Sequence, residues 1–406
     1  MTEVFTGSFT RQEPIPEDGI AAAVAVMRAG RLHRYNAAPG ETDPVSLFEA
    51  EFAAFTGARH ALAVASGGAA MRLALMALGA GPGVRVLSNA FTLAPVPGAI
   101  AAVGAEAVFV ETAPDLTIAL DDLAAQVAAS GARLLLLSHM RGHIADMDAL
   151  MAICTARGVT VIEDCAHTMG AAWRGVPSGR HGAVACYSTQ SYKHLNSGEG
   201  GIITTDDDAL MAQMVLLSGS YMLYDRHRAA PPPAAYDDLR WTVPNVSSRM
   251  DALRAAVLRA QLPLLPDRVR RWNALYGAVE AGLRAAAGIG TIPRGQGEAY
   301  VGSSIQFRLP GRDGAAIERF LARCLARGVE LKWFGRAEPQ GFTSRVDHWR
   351  FADPPALPRT QAALAALIDM RLPLTFTEAD AALIARIIAD EAGRDGAAPP
   401  VARAAD

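Results

Sequence analysis

Between residues 58 and 205 short β-rich runs alternate with helical patterns, and no other feature narrows the fold so far. The runs are His60–Ser66, Val84–Ser88, Glu106–Glu111, Arg133–His139, Val159–Asp164, Ala183–Thr189 and Gly201–Thr205. Helical patterns over Ala69–Gly79, Leu120–Ser130 and Met147–Gly158 fall between them. Repeated strand–turn–helix units of this kind fold into a mostly parallel sheet covered by helices. In open α/β sheets the ligand sits beyond the carboxyl ends of the strands, so the residues closing each strand are the ones to examine.

At 406 residues the chain exceeds a single core, so a large domain with a smaller partner is expected. The expected division is an N-terminal segment over 1–40, a large domain over 41–265 and a small α+β domain over 266–406. Long helices should run over Arg249–Ala287, broken near Pro263 and Pro266. The small domain should carry a strand at Ser304–Leu309, a helix at Ala315–Gly328 and a last helix after Phe376. The proline-rich stretch Arg228–Asp238 reads as an irregular excursion that leaves the core.

A hydrophobic fraction of 51%, with 19% charged residues, fits a globular enzyme. With a net charge of -3 and no basic stripe, nucleic acid is not an expected partner; the cationic run Pro266–Tyr276 reads as the solvated face of a helix. The N-terminus is polar without an apolar targeting core, and no stretch of 18 apolar residues follows, so neither a membrane partner nor a location outside the cytoplasm is expected. Four cysteines without paired spacing suggest neither a disulfide framework nor a metal site.

Three strand ends stand out. The first is followed by Ser66-Gly67-Gly68-Ala69-Ala70 and then a helix; free N–H groups and the positive end of the helix dipole there suit a phosphate. Glycine-rich turns also arise for steric reasons alone, and the spacing matches neither the dinucleotide nor the P-loop pattern. The fifth run ends in Asp164, whose bland reading is a helix cap. The sixth is followed by Lys193, confined between strand and glycine turn. Together an amine, a carboxylate and an anion cradle are what pyridoxal 5'-phosphate requires. The lysine forms a Schiff base with its aldehyde, the cradle holds its phosphate, and the carboxylate keeps its ring nitrogen protonated.

At this point the chain resembles the DegT/DnrJ/StrS family of pyridoxal-phosphate-dependent sugar aminotransferases, of aspartate-aminotransferase fold type I. The matching residues are Ser66–Met71 for the phosphate turn, Glu163-Asp164-Cys165-Ala166-His167, and Ser188 five residues before Lys193 with Gly198-Glu199-Gly200-Gly201 after it. The resemblance runs over roughly Asp43–Glu391. It implies a large domain with a seven-stranded, mostly parallel sheet and a smaller α+β domain. It also implies roles: Lys193 carries the cofactor and then serves as general acid/base, and Asp164 pairs with the pyridinium nitrogen. His167 lies against the ring near its phenolic oxygen; for a lone histidine the competing reading is core packing. Gly67, Gly68, Ala69 and Ser188 hold the phosphate, and Glu199 braces the glycine turn. The cofactor alternates with its pyridoxamine phosphate form as an amino donor, glutamate or glutamine, gives way to a keto substrate, most often a nucleotide-linked keto-sugar.

The sequence also departs from the family pattern. Gly68 stands where many members have threonine. Leu93 stands where an aromatic usually stacks on the ring, with Phe91 two residues earlier as the alternative. The asparagine expected two residues before the Arg-Met pair, reaching the neighbouring subunit's phosphate, is Ser247, with Asn245 two residues earlier still. A homodimer with shared sites is implied. Other readings kept in view are a non-sugar ketone or aldehyde as acceptor, a dehydratase, which would need a histidine in place of Lys193, and a non-catalytic regulatory protein that retains the fold.

Overall fold

The computed structural model describes residues 3–38, 40–343 and 345–394. Five strands come first: β1 (His60–Val64), β2 (Arg85–Asn89), β3 (Glu106–Val110), β4 (Leu134–Ser138) and β5 (Thr160–Asp164). A short hairpin, β6 (Ala172–Trp173) and β7 (Val176–Pro177), precedes β8 (Val184–Ser188) and β9 (Gly201–Thr205). Seven of these form one sheet in the order β1-β9-β8-β5-β4-β2-β3. Only β9 runs against its neighbours, β1 and β8; the other pairings are parallel. Strands β1, β4, β8 and β9 are buried along their whole length. That is why they read as unbroken apolar runs instead of an alternation.

The seven runs expected from sequence coincide with these strands to within two residues at either end. The long helical stretch breaks at Pro263: Ala252–Gln261 ends, a 3-10 turn spans Leu262–Leu264, and Leu265–Ala285 begins with Pro266 in its first turn. Proline is tolerated there because its missing N–H would be unpaired anyway. The N-terminal segment contains a helix, Glu17–Ala29, seated on the Ala252–Gln261 helix. One expectation needs correction. The proline-rich stretch does not leave the core: Tyr236 is fully buried and stacks on Tyr224, ring centroids 4.1 Å apart.

The C-terminal part builds a second sheet. It holds β10 (Gly290–Thr291), β12 (Ser304–Arg308), β13 (Lys332–Trp333) and β14 (Leu367–Arg371) in the order β10-β12-β14-β13. Between β10 and β12, β11 (Glu298–Ala299) joins the β6–β7 hairpin instead, tying the two sheets together. Helices Gly314–Ala326 and Glu378–Gly393 pack against this part, and Phe5 and Phe9 from the N-terminus meet Phe376 edge to face. Among the described residues no helix is long and apolar enough to cross a membrane.

Candidate active site

Strand ends of the large sheet converge on a cavity of about 540 Å³. In the β4–β5 register Ser138 lies opposite Asp164. Ser138 Oγ donates to Asp164 Oδ2 at 2.9 Å, and the Ala166 N–H donates to Oδ1 at 3.1 Å. Asn89 at the end of β2 fixes Ser138 in turn, accepting from its N–H at 2.8 Å and donating to its carbonyl at 3.1 Å. Three adjacent strand ends are thereby locked in register around one buried carboxylate. Its neighbour Glu163, fully buried, accepts from the N–H groups of Gly179, His181 and Gly182 and from His139, and pins the returning loop before β8.

The turn after β1 is a helix start. Ser66 caps the helix Gly67–Ala77, its Oγ accepting from the Ala69 N–H at 3.0 Å. The Ala69 N–H, expected to hold phosphate, is therefore committed to the cap, because it sits three residues past a capping serine. Gly67 and Gly68 line the cavity with Ser66 and Ser188, and their first-turn N–H groups have no partner inside the helix. Gly67 is required by close approach: a Cβ there would sit 2.9 Å from Ser188 Cβ. At Gly68 a Cβ would meet only Ser66 Oγ, 3.8 Å away.

Lys193 lies in the loop between β8 and β9, held by Lys193 N–H to Gln190 carbonyl at 2.8 Å, and by Ser191 N–H to Gly198 carbonyl at 3.1 Å. Its Nζ is 2.8 Å from His167 Nε2. Burial, joined by the Arg141 and Arg371 charges and opposed by Asp164, brings the Lys193 ammonium down to about 7. An amine so placed is a competent nucleophile near neutrality. His167 is held well below its ordinary value by burial and by the Lys193 charge, so it stays neutral. His194 points away: its Nε2 is 3.0 Å from Ser303 Oγ and its ring packs edge-on against Trp272. Glu199 lines the cavity, with an exposed side chain.

Phe91 is corrected by the structure. It is fully buried, 5.1 Å from Phe334 edge to face, and does not line the cavity; Leu93 and Thr92 do. Strand alternation does not set the directions of Phe91 and Leu93, because β2 ends at Asn89 and both lie in the turn beyond it. Asn245 and Ser247 also lie off this cavity: Asn245 Oδ1 accepts from the Ser247 N–H at 2.9 Å, and Ser247, at a left-handed φ of 52°, accepts from Arg249.

Sequence reasoning missed several residues that the cavity gathers. Ser138 could have been found as the strand-end neighbour of Asp164. Arg141, Lys332 and Arg371 also line the cavity. Arg141 has a left-handed φ of 56° and its Nη2 lies 2.8 Å from the fully buried Asp369 Oδ2. Arg141 and Arg371 carried no signal of their own.

The donor set suits pyridoxal phosphate. It offers the Lys193 amine, the hydrogen-bonded Asp164 carboxylate, and a helix start flanked by the Ser66 and Ser188 hydroxyls. Thr92 Oγ1 and His167 Nδ1, on two residues that line the cavity, are buried without a hydrogen-bond partner among the described residues. A mixed seven-stranded sheet with a lysine after its penultimate strand and an aspartate at a central strand end defines a fold type I pyridoxal-phosphate enzyme. Residues 17–388 match the model of the DegT/DnrJ/EryC1/StrS aminotransferase family, and the chain belongs to that family. It is a transaminase. The chain is 33% identical to a 3-amino-5-hydroxybenzoate synthase of Amycolatopsis mediterranei over 69% of its length and 71% of that protein's. It is 36% identical to a dTDP-3-amino-3,4,6-trideoxy-alpha-D-glucose transaminase of Streptomyces venezuelae over 60% and 61%. The solved structure of a 3-amino-5-hydroxybenzoic acid synthase superposes with a TM-score of 0.79 at 27% identity, covering 95% of this chain and 99% of that one.

Proposed function

We propose that the protein transfers an amino group from glutamate or glutamine to a keto group on a sugar, nucleotide-linked, by ping-pong chemistry. Pyridoxal phosphate, when bound, supplies the electron-withdrawing ring that makes a proton next to the amine removable. The chain's residues do the rest. Lys193 Nζ would be the amine that holds the cofactor and, once an amino substrate has displaced it, would serve as the base and then the acid that moves one proton between the two carbon atoms flanking the transferred nitrogen. Asp164, oriented by Ser138, faces the ring nitrogen. Gly67, Gly68 and Ser188 hold the phosphate, with Ala69 supporting them through the Ser66 cap. Neutral His167 accepts a hydrogen bond at the Lys193 amine and keeps that nitrogen aimed while it is free. Asn245 and Ser247, on a loop outside this chain's own cavity, are assigned to the neighbouring subunit's phosphate in a homodimer.

The observation that carries the reading is the Lys193 amine, brought to about 7 and aimed by His167 into a cavity that Asp164 and the Gly67 turn share. The nucleotide-linked sugar is supported by the Streptomyces venezuelae relative, whose name specifies a dTDP-sugar. The Amycolatopsis relative, named for an aminohydroxybenzoate, supports a ring ketone without a nucleotide as the second reading. The test is a visible spectrum of the protein with added pyridoxal phosphate, before and after glutamate, followed by dTDP- and UDP-linked keto-sugars. A band that glutamate bleaches and a keto-sugar restores establishes the reading; a band restored only by ketones lacking a nucleotide selects the second.

A further inference from the structure

The loop that carries Lys193 is gripped from behind by a side chain outside the sheet. Gln261 closes the helix Ala252–Gln261, which Pro263 interrupts, and is 1% exposed. Its Oε1 accepts from the Asn196 N–H at 3.0 Å and its Nε2 donates to the Asn196 carbonyl at 2.7 Å, a two-way clip on one residue's backbone. Nε2 also donates to the Val257 carbonyl at 3.1 Å, and Arg268 Nη1 donates to Oε1 at 3.1 Å. A glutamine amide offers two acceptor and two donor positions; all four are used, so its orientation is fixed. Arg268 is itself buried in the first turn of the next helix. Glu13 Oε2 lies 3.6 Å from its Nε, and Glu13 Oε1 accepts from Arg271 Nη2 at 2.6 Å.

The clip reaches Lys193 through the backbone. Asn196 Oδ1 accepts from the Gly198 N–H at 2.9 Å and shapes the turn in which Gly198 takes a left-handed φ of 78°. The Gly198 carbonyl then accepts from the Ser191 N–H, two residues before Lys193. Behind the loop lies a space of about 30 Å³, walled by Lys193, His194, Asn196, Gln261, Arg268 and Glu13 among others. Among the described residues only Lys193 lines both this space and the cofactor cavity. Atoms facing a gap lose packing partners on that side, so hydrogen bonds must fix the loop there.

Resting on the aminotransferase reading, we propose that Gln261, backed by Arg268, is a positioning residue for Lys193. The clip holds the rear of the loop so that the amine points into the cofactor cavity and does not withdraw toward the space behind it. Glu13 supplies the carboxylate that keeps the buried Arg268 charged in place.

The test uses the full chain stripped of cofactor, with three readings. The first is the rate at which the visible band forms on adding pyridoxal phosphate, whose aldehyde joins the Lys193 amine with release of one water molecule. The second is the affinity for pyridoxamine phosphate, which has an amine in place of the aldehyde and cannot join Lys193. The third is backbone hydrogen exchange over residues 189–200. Gln261→Met keeps the volume and loses the clip. It is expected to slow band formation by about ten- to a hundredfold, since a misplacement of about 1 Å costs on the order of a hundredfold. Exchange at Asn196 should rise by roughly tenfold or more, with pyridoxamine phosphate affinity within about twofold of native. Gln261→Glu keeps the Arg268 contact but turns an acceptor toward the Asn196 carbonyl, and should lose as much rate as Gln261→Met. Arg268→Lys retains a donor for Oε1 and should stay within about threefold of native, whereas Arg268→Met should approach Gln261→Met. Native rates in both Gln261 variants, unchanged exchange, or an equal loss of pyridoxamine phosphate affinity overturns the proposal. A native protein that forms no band sinks the aminotransferase reading instead, and the exchange measurement still upholds or overturns the clip.

Discussion

The two sheets meet at one cavity but announce themselves very differently in the sequence. The large sheet contributes Asp164, Ser188 and Lys193 from the ends of buried, mostly parallel strands of five residues. The small sheet contributes Lys332, Asp369 and Arg371 from strands of two and five residues in antiparallel pairing. A buried parallel strand needs a continuous apolar run with turn residues at its end, so whatever follows the run is marked out. A two-residue strand carries no periodic signal, and its charged residues look like any solvated surface. The large sheet thus displays its cavity residues in the sequence, while the small sheet adds Lys332 and Arg371 to the same cavity without such a mark.

The comparison breaks most visibly at Lys193. Lys193→Ala should lower the glutamate-driven loss of the visible band by about 10²- to 10⁴-fold, the usual span for a positioned acid/base, measured by stopped-flow absorbance. Retention of the native rate would remove the large sheet from the chemistry. Next comes the Asp164 anchor: Ser138→Ala deletes a hydrogen bond to a buried carboxylate, a loss of about 1.5–3 kcal/mol or roughly ten- to a hundredfold in the same rate. Asp164→Asn should cost at least as much, and a silent Ser138→Ala would mean that Asn89 and the Ala166 N–H suffice.

The pH dependence joins the two sheets. A lysine depressed to about 7 offers free amine as pH rises through about 7 rather than near 10.5, so cofactor attachment to the apo-protein should speed up with a midpoint near 7. Removing a neighbouring cation raises the amine's value, so Arg371→Gln should move that midpoint upward; a midpoint that stays put would show the small sheet to be electrically silent at Lys193. The smallest effects belong to the cradle. Gly67→Ala must displace Ser188, lowering cofactor affinity roughly tenfold in equilibrium dialysis, whereas Gly68→Thr finds open space and should leave affinity within about twofold or improve it.

Sequence alone was sufficient for the seven strands, for placing Asp164 and Lys193 at strand ends that open on one cavity, and for the glycine turn at Gly67. Each follows from a local rule: apolar runs that must be buried, a turn that needs small residues, a reactive group placed at a strand end. Tertiary structure alone decided that the Ala69 N–H goes to the Ser66 cap, and that Phe91 turns into the core against Phe334 while Leu93 faces the cavity. It also decided that Arg141, 228 residues before Asp369 in sequence, neutralises it from the other sheet. Pattern in a chain reports which residues must leave water together; which charges then meet, and which are left without a counter-charge, depends on long-range packing that no local period encodes.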